Sequence, residues 1–337
     1  MEWLGLDIGG ANIKVANGKG YAASYHFPMW KNHKQLAQDL RTYIAEAPPA
    51  DHLAVTMTGE LADCFENAKQ GVEYILYAVA TAADRRHTRV YLRNGQMVTP
   101  QVAVQRTTQV AAANWHALAA FAGRFAKKEL ALLIDIGSTT CDVVPLMYGQ
   151  PINQGESDTQ RMLKGELVYT GVERSPLCAV VSQVPYRGQT CPMAQELFAT
   201  SRDAYLVLGD LPEDSHSRAT ADGRPATRSA ALGRLAKSIC ADGDEFNETD
   251  ARAIAEAVAE SQVEKIAAAV RQVTAKMPAP PSSVILVGQG EFLAGRVLKS
   301  IGFAGRTVSL AREAGAAVSR CGPAHALAVL AREAAGG

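Results

Sequence analysis

The chain has no Cys-x-x-Cys pair, no zinc-like Cys/His cluster, no long basic run and no apolar stretch long enough to span a bilayer. Each absence removes a class of function. The six cysteines, Cys64, Cys141, Cys178, Cys191, Cys240 and Cys321, read as reduced thiols, mostly buried, rather than as zinc ligands or a disulfide framework. Lys+Arg and Asp+Glu are both 34, so the formal net charge is zero and nucleic acid is not the expected partner. An anionic ligand would be met by a local site, not a global field. The chain enters a strand at Trp3 without a cationic or signal-type apolar segment, so a cytoplasmic protein with no membrane attachment is expected.

What is present is an ordinary globular composition, 47% hydrophobic and 20% charged over 337 residues, enough for two domains with proper cores. The stretch Leu132 to Pro145 organises it. An apolar strand runs into Asp135, turns at Gly137, and leaves through Ser138, Thr139 and Thr140 into an alternating strand, which reads as a tight hairpin. Gly137 lets the backbone bend, the turn amides can point at an anion, and the three hydroxyls add donors. Asp135 at the strand end is suited to a hydrated Mg²⁺ bridging phosphate oxygens. The chain begins with the same device: Asp7, Ile8 and Gly9 overlay on Asp135, Ile136 and Gly137. Two such hairpins imply two similar halves facing each other across a cleft.

In the first hairpin Asn12 and Lys14 alternate with Ile13 and Val15, so the polar pair shares one face. Lys14 is either a point charge for phosphate or a solvated edge lysine. A helix over 33 to 47 ends at Pro48-Pro49, and the strand after it closes in Thr56-Met57-Thr58-Gly59-Glu60, the position of a ligand loop in an α/β sheet. Thr58 and Glu60 are candidates there, although a carboxylate at that point also answers a helix dipole. Gln109 to Phe125 reads as one long Ala-rich helix, on which Asn114 needs a partner and so faces the cleft; His116 reads as surface or satisfied core. From about 155 to 245 regular alternation is lost and turns dominate, which predicts an insertion capping the cleft, with Glu213 and Asp214 as solvated acidic surface. A long amphipathic helix over 251 to 276 precedes the buried strand Val284-Val287 and the turn Gly288-Gln289-Gly290, where glycines permit close approach to a ligand. The expected division is a first domain over 1 to 128, a second over 129 to 320 and a C-terminal helix over 321 to 337.

Two Asp-x-Gly hairpins about a domain apart, followed by a late Val-Gly-x-Gly turn before a helix, resemble the acetate kinase, sugar kinase, Hsp70 and actin superfamily. That resemblance implies an α/β fold of two duplicated RNase H-like (actin-like ATPase) domains, with the hairpins as phosphate loops and Gly288 and Gly290 near the nucleoside. Asp7-Ile8-Gly9-Gly10-Ala11-Asn12, Thr56 to Leu61, Asp135 to Thr140, Gly165-Glu166-Leu167-Val168-Tyr169, Phe198-Ala199-Thr200 and Thr220 to Arg224 are similar to the hydantoinase/oxoprolinase-like branch. Within it they resemble the proteins tied to tetrahydromethanopterin-linked one-carbon transfer, whose archaeal members serve methanofuran biosynthesis. The reaction this implies joins an aminomethyl-furanmethanol diphosphate to the phenol of γ-glutamyltyramine, or a tyrosine analogue, with release of diphosphate.

On that reading Asp7 and Asp135 would hold Mg²⁺, while Gly9, Gly10, Asn12, Lys14, Gly137, Ser138, Thr139 and Thr140 would hold phosphate. Asp203, Glu60 and Asp222 are candidates for the proton of the acceptor phenol, a group with a reference pKa of about 10. ATP is admitted but not required, because Gln289 and Glu291 depart from the all-glycine nucleoside turn of many kinases. The partners are small molecules, and a homodimer is compatible. The rival readings are a small-molecule kinase or ATP-dependent amidohydrolase and, in a different class, a nucleotide-controlled switch like Hsp70 or actin.

Overall fold

Alternation along the strands decides which side chains face the cleft. The structure, a computed structural model, describes residues 1–336. Six strands form the first sheet: β1 (Trp3–Ile8), β2 (Asn12–Ala16), β3 (Ala22–His26), β4 (His52–Met57), β5 (His87–Tyr91) and β6 (Met97–Val98), in the order β3-β2-β1-β4-β5-β6. The next strands are β7 (Leu130–Ile136), β8 (Cys141–Met147), β9 (Gln150–Pro151) and β10 (Leu167–Val168), then the separate hairpin β11 (Gln183–Tyr186) and β12 (Gln189–Pro192). With β13 (Ser283–Val287) and β14 (Arg306–Ser309) they give a second sheet ordered β10-β8-β7-β13-β14, with β9 also pairing β8.

The pairing is repeated. β1 runs antiparallel to β2 and parallel to β4, as β7 runs antiparallel to β8 and parallel to β13; β4 then pairs β5 in parallel, as β13 pairs β14. The protein is therefore an α/β molecule of two duplicated RNase H-like units. On β1, Leu4, Leu6 and Ile8 enter one core with helices Leu36–Glu46 and Ala68–Ala83. On β7, Leu132, Ile134 and Ile136 enter another with helices Glu248–Thr274 and Glu291–Ser300. Since successive side chains alternate, Asp7 and Asp135 fall on the opposite, inner faces.

Helices Asn114–Ala122 and Gly322–Gly336 lie between those inner faces. The first buries Trp115, Leu118 and Phe121 against Leu133, Val144 and Ile285 of the second sheet. The last puts Leu327 and Ala328 with Trp3 and Ala54 of the first sheet. The chain thus exchanges elements in part: a helix from the N-terminal half packs largely with the second sheet and the C-terminal helix largely with the first, while Ala117 and Ala326 reach the other cluster. Gly5 makes the second packing fit, because a Cβ there would lie 1.9 Å from the Ala324 carbonyl oxygen.

Several local expectations need correction. The long helix over 109 to 125 is broken: Thr107–Val110 ends, Ala112 takes a left-handed conformation (φ 47°), and a new helix starts at Asn114. Alanine propensity favours continuation, and tertiary packing overrides it. Residues 155 to 245 are rich in turns as expected, yet they also hold packed structure: helices Ser201–Leu208 and Arg228–Ser238 bury Leu206, Val207 and Leu235 with Val258 of the long helix in a core of their own. Only Cys141 and Cys321 of the six cysteines are buried. No helix among the described residues is long and apolar enough to cross a membrane.

Candidate active site

The two hairpin turns are built alike. Gly9 N–H donates to Asn12 O (3.0 Å), and Gly137 N–H donates to Thr140 O (2.9 Å). Those two amides close the turns and so are not free for a ligand. The amides of Gly10 and Ala11 in one turn, and of Ser138 and Thr139 in the other, make no hydrogen bond among the described residues. The turns also meet: Asn12 Nδ2 donates to Ser138 Oγ at 3.3 Å. Each sheet supports its hairpin through the next parallel strand. Thr58 and Gly59 amides donate to Ile8 O, and the Gly290 amide donates to Ile136 O, so the late glycines and the Thr58-Gly59 turn are structural equivalents.

Between the turns lies a cleft of about 200 Å³. It is lined by Asp7, Gly9, Gly10, Asn12 and Lys14 from the first hairpin and by Asp135, Gly137, Ser138, Thr139 and Thr140 from the second. Thr58 and Asn114 complete one wall. The packing thus brings together every residue expected to hold phosphate or metal. Gly288 lines a second chamber of about 1140 Å³, and Asn12 lines both. Gly290 lines neither; a Cβ there would meet Ile136 Cγ2 at 2.5 Å, so this glycine serves close packing.

The proposed proton acceptors do not gather at the cleft. Asp203 is fully buried in the insertion, where its carboxylate pairs with Arg234 at 2.7 Å and accepts from the Thr200 amide as a helix cap. Asp222 accepts from the same Arg234 at 3.0 Å. Both carboxylates are therefore committed to one buried guanidinium. Glu60 is also buried and lies behind the cleft wall against Ala112. Burial, chiefly, and repulsion from Asp158 push its pKa up to about 8, although the Glu60 and Ala112 backbone amides favour the carboxylate.

The charges at the cleft do not balance by local pairing. Register sets Asp7 opposite Lys14 and Asp135 opposite Asp142, so the second hairpin has a carboxylate where the first has an ammonium. Lys14 reaches Asp7 Oδ2 at 3.8 Å, while Asp7 Oδ1 is buried with no hydrogen-bond partner among the described residues. Burial raises the Asp7 pKa, with Lys14 opposing. Asp135 is pushed up to about 7 by burial and then by Asp142, with Lys14 giving partial relief. Burial works against the Lys14 ammonium, yet Asp7 and Asp135 outweigh it and its pKa is raised.

Residues not assigned to the site from sequence complete the wall. Arg161, fully buried, donates to Asp142 Oδ1 at 2.8 Å and stacks over Trp115 with 4.1 Å to the ring centre. Asp158, Tyr169 and Arg174 also line the cleft. The Asp158 pKa is raised by burial, and its contact with Arg161 is a loose 4.0 Å. Asp142 carried a weak cue, since it follows Asp135 at the spacing that separates Lys14 from Asp7. Arg161 and Arg174 carried none.

A family model for hydantoinase/oxoprolinase matches residues 51–331. The chain belongs to the hydantoinase/oxoprolinase family. Among relatives it is 34% identical over 242 residues to the (4-{4-[2-(gamma-L-glutamylamino)ethyl]phenoxymethyl}furan-2-yl)methanamine synthase of Methanocaldococcus jannaschii, covering 71% of this chain and 72% of that one. It is 29% identical over 160 residues to the synthase of the same name from Methanococcus vannielii, covering 48% of this chain and 71% of that one. Among solved structures, nucleotide-free acetone carboxylase aligns with a TM-score of 0.56 at 10% identity, over 97% of this chain and 70% of that one. That last likeness is one of fold. The hydantoinase/oxoprolinase member described here is thus a relative of small-molecule synthases, with its paired hairpins at the junction of the duplicated units.

Proposed function

We propose that the protein is a Mg²⁺-dependent transferase that joins an aminomethyl-furanmethanol diphosphate to the phenol of γ-glutamyltyramine, or of a tyrosine analogue, and releases diphosphate. One observation carries the reading: two hairpins with unused turn amides face each other, and each brings a buried carboxylate to the same cleft. The product in the relatives' printed name contains a phenoxymethyl-furan, an aryl ether, and the same linkage is assigned here.

In this step the furfuryl C–O bond to diphosphate breaks with its electron pair leaving on the diphosphate oxygen. The phenolic oxygen supplies the pair for the new C–O bond and gives up its proton. Furan oxygen stabilises positive charge at the reacting carbon, so neutralising the leaving group is the larger task. The free amides of Gly10, Ala11, Ser138 and Thr139, with Lys14 beside them, suit phosphate oxygens. Asp158, lining the cleft with a raised pKa and only a loose cation contact, is assigned the phenolic proton.

Mg²⁺ fits the donor set. Asp7 has a buried oxygen without a partner among the described residues, and Asp135, pushed up to about 7 by burial and Asp142, would be drawn down by a cation beside it. Among the described residues no three His, Cys, Asp or Glu side chains converge as a cage, which suits an ion that keeps waters and takes phosphate oxygens as ligands. When bound, the ion would take up charge on the departing diphosphate.

The larger chamber, with Gly288 and Gln289 in its wall, favours the second reading, an ATP-dependent enzyme. Incubation with Mg²⁺, furanmethylamine diphosphate and γ-glutamyltyramine, without ATP, separates the two. Ether and diphosphate in equal amounts are expected; ATP turnover with no ether would overturn the transferase.

A further inference from the structure

The cleft holds three cations, and two are already engaged: Lys14 with Asp7 at 3.8 Å and Arg161 with Asp142 at 2.8 Å. Arg174 differs. Its guanidinium makes no ion pair and no side-chain hydrogen bond among the described residues, although it lines the same cleft. It lies over the face of Trp30, with the guanidinium carbon 4.7 Å from the ring centre. Cation–π attraction orients a guanidinium without using its N–H donors.

The two partners of that stack hang from opposite hairpins. Trp30 lies on the short helix Met29–Asn32, whose first amide donates to Gly10 O at 2.9 Å in the first turn. The Glu173 and Arg174 amides donate to Ser138 O in the second turn at 3.0 and 2.9 Å. Gly171 lets this segment approach, because a Cβ there would come within 2.5 Å of the Ser138 and Thr139 backbone. A buried chain of hydrogen bonds holds the segment from behind: Tyr205 donates to Gln262, and Gln262 donates to Thr170 and to Gly171 O. These bonds fix the backbone of each partner to its own hairpin, while the Arg174 side chain itself stays exposed over the half-buried Trp30.

We propose that Arg174 is the residue of this cleft that binds the terminal oxygens of a diphosphate, and that Trp30 is the positioning residue that aims it across the gap between the two halves. The inference rests on the proposed transferase reading and adds to it the source of the uncommitted positive charge. A guanidinium presents paired donors to a phosphate, a geometry an ammonium does not reproduce. The same contact makes anion binding sensitive to the separation of the hairpins, since the indole belongs to one and the guanidinium to the other.

The test is titration of the purified full chain with inorganic diphosphate in Mg²⁺ by calorimetry, for wild type and for Arg174→Gln, Arg174→Lys, Trp30→Ala and Trp30→Phe. The expected result is a dissociation constant roughly tenfold to a hundredfold weaker in Arg174→Gln, the scale of a lost charge-assisted contact. Arg174→Lys recovers part of that loss. Trp30→Ala weakens binding less than Arg174→Gln does, Trp30→Phe restores it, and the double variant Trp30→Ala/Arg174→Gln is no weaker than Arg174→Gln alone. Thermal unfolding accompanies each variant, and a fall in affinity with an unchanged midpoint excludes general misfolding. Wild-type binding that Arg174→Gln leaves intact would overturn this inference while sparing the transferase. Failure of wild type to bind diphosphate would defeat that reading and this assignment together.

Discussion

Asp135 titrates because burial and the neighbouring Asp142 hold its pKa at about 7, against an ordinary 3.8. Glu60, raised to about 8 from 4.5, adds to the same effect. A carboxylate whose folded pKa lies above its unfolded one binds more protons when folded. Its contribution to stability is whole below the unfolded value and is lost as pH rises through the folded one. The metal-free protein should therefore unfold at a lower temperature at pH 9 than at pH 6. Mg²⁺ held by Asp7 and Asp135, as proposed, would favour the ionised form, so its stabilisation should grow with pH; thermal scans giving the same Mg²⁺ increment at pH 6 and pH 9 would count against these ligands. Asp135→Asn should keep the fold, abolish that increment and lower turnover by about a hundredfold or more, measured as diphosphate release. Asp7 and Asp135 were legible in the sequence because a carboxylate before Ile-Gly at the end of an apolar strand has few structural uses. Asp203 was not: a helix-capping aspartate paired to a buried arginine looks the same in sequence as a catalytic base.

The insertion is held by that Asp203–Arg234–Asp222 cluster, and its behaviour on mutation separates stability from chemistry. Asp203→Ala leaves the buried Arg234 without its closest partner, which should cost about 3–5 kcal/mol in denaturant unfolding. The fraction that remains folded should keep a near-normal kcat. A catalytic loss at unchanged stability would restore Asp203 to the reaction. The turn at Gly288 makes the reverse case. Its φ is 93°, and an added Cβ would sit 2.3 Å from Ile136 O and 2.5 Å from an Asp135 carboxylate oxygen. Gly288→Ala should therefore disturb Asp135 directly, with the Mg²⁺-induced thermal shift diminished as well as the melting temperature. Strands and hairpins were readable from alternation and glycine, and the long helix from its apolar stripe. The break at Ala112 was hidden by the strong helix propensity of the alanines around it, and the packed core of the insertion by polar residues that turned out to cap and pair.

At the scale of the whole molecule the two sheets share the layer formed by helices Asn114–Ala122 and Gly322–Gly336. Neither half has a complete core without a helix contributed from the other part of the chain. Unfolding should follow one cooperative transition, with tryptophan fluorescence and far-ultraviolet circular dichroism giving coincident midpoints. Two separated transitions would mean that the halves are independent. The duplication itself was legible from the paired Asp-Ile-Gly turns, because they recur with the same strand on either side. The exchange of helices was not, since composition says that an alanine-rich helix packs closely and does not say on which sheet.

That exchange bears on how the protein is made. Residues 322–336 cover the inner face of the first sheet, yet they leave the ribosome long after the strands they cover. Until then Trp3 and Ala54 have the cover of Ala113 and Ala117 but lack that of Leu327 and Ala328. The first sheet therefore completes its inner face only once residues 322–336 have been made, so its folding is tied to a segment about 270 residues downstream of β4.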